Sequence, residues 1–227
     1  AKELLTVTEA VSEYVDEVTD DSPGIDQAEP NETSEISRQS GFRREWIVIA
    51  VIGAIFAFTV WAIVQSEREN TAAGFRWEGY LAFERGELQT ALKEYSKAIE
   101  AMPSDGSLYI DRAYIHVQLS QHAQAVQDYS RAIELSPDSA LTDLLFSRAV
   151  CNQETGKHEH ARRDYESSLN HAPHNVECRN AFAWLLAACP EASVRDGAAA
   201  VTHAQTCCIE ADEPLWYMFD TLAAAHA

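Results

Sequence analysis

The sequence predicts an all-α protein: a right-handed α-solenoid of helix hairpins, preceded by a single transmembrane helix and a largely disordered acidic arm. Three observations predict this arrangement. Residues 46–65 are apolar and uncharged, residues 72–227 repeat a helical pattern with a period near 34 residues, and residues 1–45 carry twelve carboxylates against four basic side chains.

Composition excludes several classes of function. The formal net charge is -19, so nucleic acid is not an expected partner, because phosphate binding requires clustered Lys and Arg. The sequence contains no phosphate-binding loop, nucleophile elbow, HExxH motif or glycine-rich dinucleotide turn. We therefore expect no enzymatic activity, no cofactor and no bound metal.

Residues 1–45 form the acidic arm. An excess of carboxylates interrupted by two prolines and a glycine is typical of a disordered segment. Apolar residues from Leu4 to Val18 recur at three- and four-residue spacing, which would line one face of a short helix. This segment is either a docking helix for a partner or a weakly formed helix in a solvated tail.

Residues 46–65 are expected to cross a lipid bilayer. The stretch from Trp46 to Val64 is about nineteen residues long and spans roughly 28 Å as a helix, close to the hydrocarbon thickness of a membrane. A cleavable signal would lie nearer the start of the chain and end in small residues. Trp46 and Trp61 lie near the two ends, where aromatic side chains concentrate. We therefore predict a single-pass anchor.

Basic residues on the two flanks predict the direction of this anchor. Arg38, Arg43 and Arg44 precede it, whereas Arg68 and Arg76 follow it. Basic residues favour the cytoplasmic side of a membrane. Three arginines before the span and two after it therefore predict a cytoplasmic N-terminus and a C-terminal domain outside the cytoplasm.

A periodic pattern organises residues 72–227 into about four and a half units, at 72–105, 106–139, 142–175 and 176–210, with a partial fifth at 213–227. The first helix of each full unit carries a small residue, which is Gly79, Ala113, Ala149 or Ala183. In the first three units a turn residue follows, which is Gly86, Ser120 or Gly156. In the first three units, the second helix carries a small residue and an aromatic residue and is closed by a proline. These residues are Ala91, Tyr95 and Pro103 in the first unit, Ala125, Tyr129 and Pro137 in the second, and Ala161, Tyr165 and Pro173 in the third.

These positions and this period resemble the tetratricopeptide repeat, and one N-terminal anchor before such repeats resembles membrane-anchored bacterial members of that family. The resemblance implies a stack of hairpins whose concave face is built from the first helices. Some family members hold the acidic C-terminal tails of chaperones in a clamp of Lys and Asn. Asp111 and Asp143 stand at the corresponding positions here and would repel a carboxylate, so an acidic tail is disfavoured.

The register of the repeats predicts which residues line the concave groove. Aromatic and aliphatic side chains dominate, which suits an apolar peptide or helix of a partner protein. The alternative is that several of them pack between helices. The predicted groove residues are Arg76, Trp77, Tyr80, Phe83, Ile110, Tyr114, Val117, Phe146, Val150 and Trp184.

The sequence thus predicts a membrane-anchored protein–protein interaction module, a scaffold that recruits or assembles partner proteins, at the bacterial cell envelope. One alternative is a cytosol-facing receptor for targeting peptides, which reverses the anchor. Another is a metal-dependent enzyme, because His122 and His158 follow equivalent turns and would approach each other along one edge. Neither the partner nor the oligomeric state can be read from these residues.

Two further expectations concern the end of the chain. In the fourth hairpin, Cys178 would lie level with Cys207 or Cys208. If the domain lies outside the cytoplasm, Cys178 would form a disulfide with one of them. The alternative is that these cysteines are buried free thiols. The segment from Leu215 to Leu222 is apolar nearly all round. We therefore expect either that the chain continues beyond Ala227 or that this helix docks on another surface.

Overall fold

A computed structural model describes residues 32–137, 141–211 and 216–226, with side chains from residue 49 onward. This part of the chain is helical and contains no strand. The helices are α1 (Glu32–Glu84), α2 (Leu88–Ala101), α3 (Gly106–Gln118), α4 (His122–Leu135), α5 (Leu141–Glu154), α6 (His158–His171), α7 (Val176–Ala188), α8 (Gly197–Glu210) and α9 (Trp216–His226).

Helix α1 begins earlier than the sequence analysis predicts. Residues 32–45, predicted from their composition to belong to the disordered arm, are helical, and the helix continues without a break through residues 65–72. No proline occurs between Glu32 and Glu84, so nothing in the chain forces a helix to stop there. The remainder of the arm, including the predicted docking segment from Leu4 to Val18, lies outside the described residues.

Helix α1 contains the stretch with the composition of a membrane span. Its large apolar side chains between Ile49 and Val64 are exposed, Phe56 and Ile52 among them. Of the helices in the described part of the chain, α1 alone is long and apolar enough to cross a membrane, judged by length and composition. The chain is divided into two structural units between Ala62 and Ile63, and the second unit contains the repeats.

Tight turns join the two helices of each of the first three hairpins. Gly86, Ser120 and Gly156 have φ values of 75°, 57° and 72°, which lie in the left-handed region. Gly86 and Gly156 adopt this conformation without strain, whereas the side chain of Ser120 makes it unfavourable. The turn positions predicted from the repeat register are therefore confirmed.

The buried core residues recur with the same period as the sequence repeat. Ala91, Ala125 and Ala161 are fully buried, and Tyr95, Tyr129 and Tyr165 are nearly so. The small residues let the helices pack closely, and each ring fills space between neighbouring helices, since a stack of hairpins has no other core. Burial raises the pKa of the Tyr129 hydroxyl to about 12. The prediction of an α-helical solenoid is confirmed.

A buried ion pair links the two helices of the second hairpin and extends to the hairpin before it. The Arg112 guanidinium donates two hydrogen bonds to the Asp128 carboxylate, at 2.8 and 2.6 Å, and a third to Ser96 Oγ at 3.1 Å. Asp128 is buried, and the paired planar groups give the geometry in which such a bond is strongest. One arginine thus connects three helices, α2, α3 and α4.

The third hairpin has the same pair, and the fourth replaces it. Arg148 binds Asp164 at 2.8 and 2.7 Å and donates to Ser130 Oγ at 3.1 Å. In the fourth hairpin, Phe182 and His203 stand at the corresponding positions, one residue before Ala183 and one before Ala204, which replaces the tyrosine of the earlier hairpins. Their ring centroids are 5.0 Å apart, so an aromatic contact takes the place of the ion pair.

The five cysteines are free thiols in this structure. Cys178 and Cys207 are both buried, whereas Cys208 is partly exposed. Burial raises the pKa of Cys207 to about 11 and raises that of Cys178 as well. The arrangement corresponds to the free-thiol alternative rather than to the bridge from Cys178 to Cys207 or Cys208.

Candidate functional site

The first helices of successive hairpins line two neighbouring grooves. The front groove has a cavity of about 520 Å³ between α1, α3 and α5. The rear groove has a cavity of about 390 Å³ between α5, α7 and α9. The front groove is lined chiefly by Tyr80, Phe83, Ile110, Asp111, Tyr114 and Asp143. The rear groove is lined chiefly by Val150, Asn180, Trp184, Trp216, Tyr217 and Asp220.

The repeat explains why these side chains reach the grooves. In each first helix, a buried small residue faces the second helix of its own hairpin: Gly79, Ala113, Ala149 and Ala183. The next residue points about 100° further round the helix. In the four hairpins that residue is Tyr80, Tyr114, Val150 or Trp184, and each of them lines one of the two grooves.

Four predicted groove residues leave large aromatic surfaces exposed, although one of them, Trp77, lines neither cavity. The exposed fractions are 59% for Trp77, 44% for Tyr80, 47% for Tyr114 and 43% for Trp184. The Trp77 and Tyr80 rings stack with centroids 5.7 Å apart. Phe83 meets the Tyr114 ring edge to face at 5.6 Å, which fixes the orientation of that ring.

The other predicted residues fall into three groups. Ile110 lines the front groove and Val150 the rear groove. Val117 and Phe146 are partly buried against the core and line neither cavity. Arg76 lies beside the front groove rather than in its lining. Its guanidinium pairs with the Asp111 carboxylate at 2.7 Å and donates to Ser107 Oγ at 3.1 Å.

Asp111 is the most enclosed charge of the front groove. Burial raises the pKa of its carboxyl group, and the adjacent Arg76 guanidinium opposes that increase. The Arg76–Asp111 pair joins α1 to α3 at the side of the front groove. A guanidinium group, that of Arg76, therefore already pairs with one carboxylate of the front groove, that of Asp111.

The predicted groove residues include none from α9, which contributes Trp216, Tyr217 and Asp220 to the rear groove. The apolar character of the segment around Trp216 is evident from the sequence, but the connection before α9 departs from the 34-residue period, so the repeat register does not extend across it. Trp216 is 75% exposed. The rear groove therefore contains two tryptophans from neighbouring first helices.

The histidines do not assemble a metal site. In the part of the chain that the structure describes, no group of three or more His, Cys, Asp or Glu side chains has metal-binding geometry. The Nδ1 atoms of His122 and His158 are buried without a hydrogen-bond partner among those residues. Leu88 occupies the equivalent position in the first hairpin and packs against the core. These two imidazoles thus stand at an apolar packing position.

Comparisons with known proteins agree with the fold. Residues 106–139, which contain α3 and α4, match the family model of the tetratricopeptide repeat. The chain is 33% identical over 81 residues to the Protein SGT1 homolog of Bos taurus, covering 36% of this chain and 21% of that protein. It is 33% identical over 97 residues to serine/threonine-protein phosphatase 5 of Homo sapiens, covering 43% of this chain and 19% of that protein.

The fold is also similar to solved structures. One is YrrB, described as a TPR protein with an unusual peptide-binding site, at 17% identity and a TM-score of 0.59, covering 74% of this chain and 81% of that one. The chain spans about a fifth of the length of the two curated relatives above. Together, the repeat match and the described helices support a tetratricopeptide-repeat solenoid.

Proposed function

We propose that this protein is a membrane-anchored scaffold that binds partner proteins in the front and rear grooves of its repeat solenoid. One observation carries the proposal: the exposed rings of Trp77, Tyr80, Tyr114 and Trp184 lie on the first helices of the first, second and fourth hairpins. Large aromatic side chains lose much unfavourable hydration when a partner covers them, and such residues supply most of the binding energy at protein interfaces. The solenoid acts by binding rather than by catalysis.

The grooves suit an extended peptide or a single helix. The two cavities, of about 520 and 390 Å³, are each the size of a few side chains rather than of a folded domain. Their walls are rigid helices, so little conformational entropy is lost when a segment binds there. A partner would therefore contribute a short segment whose apolar side chains cover the rings.

The membrane part of the proposal is supported by the composition of α1. Its exposed apolar side chains between Ile49 and Val64 would be covered by lipid. The basic residues Arg38, Arg43 and Arg44 favour a cytoplasmic N-terminus. We propose a single-pass protein of the bacterial inner membrane, with its acidic arm inside and its solenoid outside the cytoplasm.

Affinity capture tests the binding role. The full chain is purified in detergent with its bound proteins, alongside the Y80A/Y114A variant and the control E100Q/E191Q. Glu100 and Glu191 are exposed and line neither groove. The proposal predicts that specific partners are lost from Y80A/Y114A and kept by the control. Capture of the same proteins by all three would contradict it.

Protease accessibility tests the orientation. In intact spheroplasts, added protease should degrade residues 66–227 and leave a protected N-terminal fragment. Protection of the repeat region in sealed spheroplasts, with cleavage only after lysis, would instead favour a cytosol-facing protein.

A further inference from the structure

The charged side chains that line the two grooves all have the same sign. The front groove contains Asp111 and Asp143, and the rear groove contains Asp220. No lysine or arginine is among the described residues that line either cavity. Each groove in which a partner would lie therefore contains at least one carboxylate.

Two of these carboxylates are available to a partner. Arg76 already compensates Asp111, at 2.7 Å. Asp143 and Asp220 are both exposed and form no ion pair with any residue that the structure describes. Each groove thus has one carboxylate that forms no ion pair with the described residues.

Aromatic residues line the same grooves as these carboxylates. Tyr80 and Tyr114 share the front groove with Asp143, while Trp184 and Trp216 share the rear groove with Asp220. A lysine or arginine side chain is attracted both to the face of an aromatic ring and to a carboxylate. An acidic peptide would meet only repulsion at these places, because no basic side chain lines the cavities to balance it.

We propose that the occupant of the two grooves is a cationic segment of a partner protein, with Lys or Arg between apolar residues. Its apolar side chains cover the exposed rings, and its basic groups lie beside Asp143 in the front groove and Asp220 in the rear groove. This inference rests on the proposed function and specifies the chemistry of the partner. The Arg76–Asp111 pair gives the same contact within the chain itself, since a guanidinium already lies against a carboxylate beside these rings.

A peptide selection tests the proposal. The full chain in detergent micelles is panned against a phage-displayed library of random nonapeptides at physiological salt. The chain has a net charge of -19 and attracts cationic peptides over its whole surface. Groove ligands are therefore defined as peptides that bind the wild type and lose binding to Y80A/Y114A/W184A.

Two charge-matched variants measure the role of the carboxylates. D143N/D220N removes both groove charges, whereas E100Q/E191Q removes two charges outside the grooves. Each exposed ion pair is expected to contribute about threefold in affinity, so groove ligands should bind D143N/D220N about tenfold more weakly. Their affinity for E100Q/E191Q should change by less than about twofold, because distant surface charges are screened.

The outcome of the selection distinguishes the cationic-segment proposal from the groove-binding function on which it rests. Groove ligands rich in Lys and Arg, weakened by D143N/D220N and not by the control, support the proposal. Groove ligands that are neutral or acidic, or that bind both charge variants equally, overturn it and leave the groove-binding function intact. A selection that yields no peptide dependent on the aromatic rings overturns both.

Discussion

Removal of Arg148 tests the role of the buried ion pair in the third hairpin. In R148A, the Asp164 carboxylate loses two hydrogen bonds of 2.7 and 2.8 Å. The side chain of Asp164 is only 10% exposed, so solvent cannot replace them fully. Asn152 Nδ2, at 3.1 Å, remains as a neutral donor and does not balance the charge.

The expected cost follows from this burial. An uncompensated buried charge destabilises a protein by about 3–5 kcal/mol. Because Arg148 is itself 23% exposed, the lower end applies, and we expect R148A to lower the free energy of unfolding by about 3 kcal/mol. Loss of the Ser130 contact removes a link between neighbouring hairpins, so the unfolding transition should also become broader.

Urea unfolding followed by circular dichroism, with the full chain in detergent, measures this effect. R162A is the matched control, because Arg162 pairs with Glu166 on the surface of the same hairpin and its loss should cost about 0.5 kcal/mol or less. The double variant R148F/D164H copies Phe182 and His203 of the next hairpin. It should recover more than half of the R148A loss, because no charge is left unpaired. A loss below about 1 kcal/mol in R148A would refute the reasoning.

Three further predictions concern stability and reactivity. The S120G variant should raise the free energy of unfolding by about 1 kcal/mol in urea titrations, because Ser120 has a φ of 57° where the first and third hairpins have glycine. A decrease in that free energy would contradict the strain. The variant H122L/H158L should raise the midpoint of thermal unfolding, because each buried Nδ1 lacks a partner among the described residues and such a group costs about 1–3 kcal/mol. Iodoacetamide at pH 8 should modify the partly exposed Cys208 first and leave Cys207 for denatured protein, because burial raises the pKa of the Cys207 thiol to about 11; equal rates by mass spectrometry would contradict that burial.

The parts of the fold that follow the 34-residue period could be predicted from the sequence. Ala125 and Tyr129 are buried where the register places them, and α4 ends two residues before Pro137. Close helix packing requires a small residue and a large ring at fixed spacing, so this sequence pattern predicts how the helices pack. The Arg112–Asp128 pair recurs as Arg148–Asp164 and could have been found in the same way.

Other parts depend on information that the period does not contain. The start of α1 at Glu32 reflects the absence of a helix breaker, whereas the change from acidic to apolar composition suggested a boundary near residue 46. The rear groove includes Trp216 and Asp220, whose helix follows a connection of irregular length. Which aromatic side chains stay exposed depends on local packing, as shown by Phe146 and Trp184, one partly buried against the core and the other exposed.

Site-specific photo-crosslinking tests most directly whether the grooves bind a partner. A photoreactive phenylalanine analogue is placed at Tyr80, Tyr114 or Trp184 of the full chain, and at Glu100 or Glu191 as controls. The protein is irradiated in native membranes. We predict one set of discrete crosslinked products from all three groove positions and none of them from the controls. The same products from groove and control positions, or none from the groove, would contradict a binding role for these surfaces.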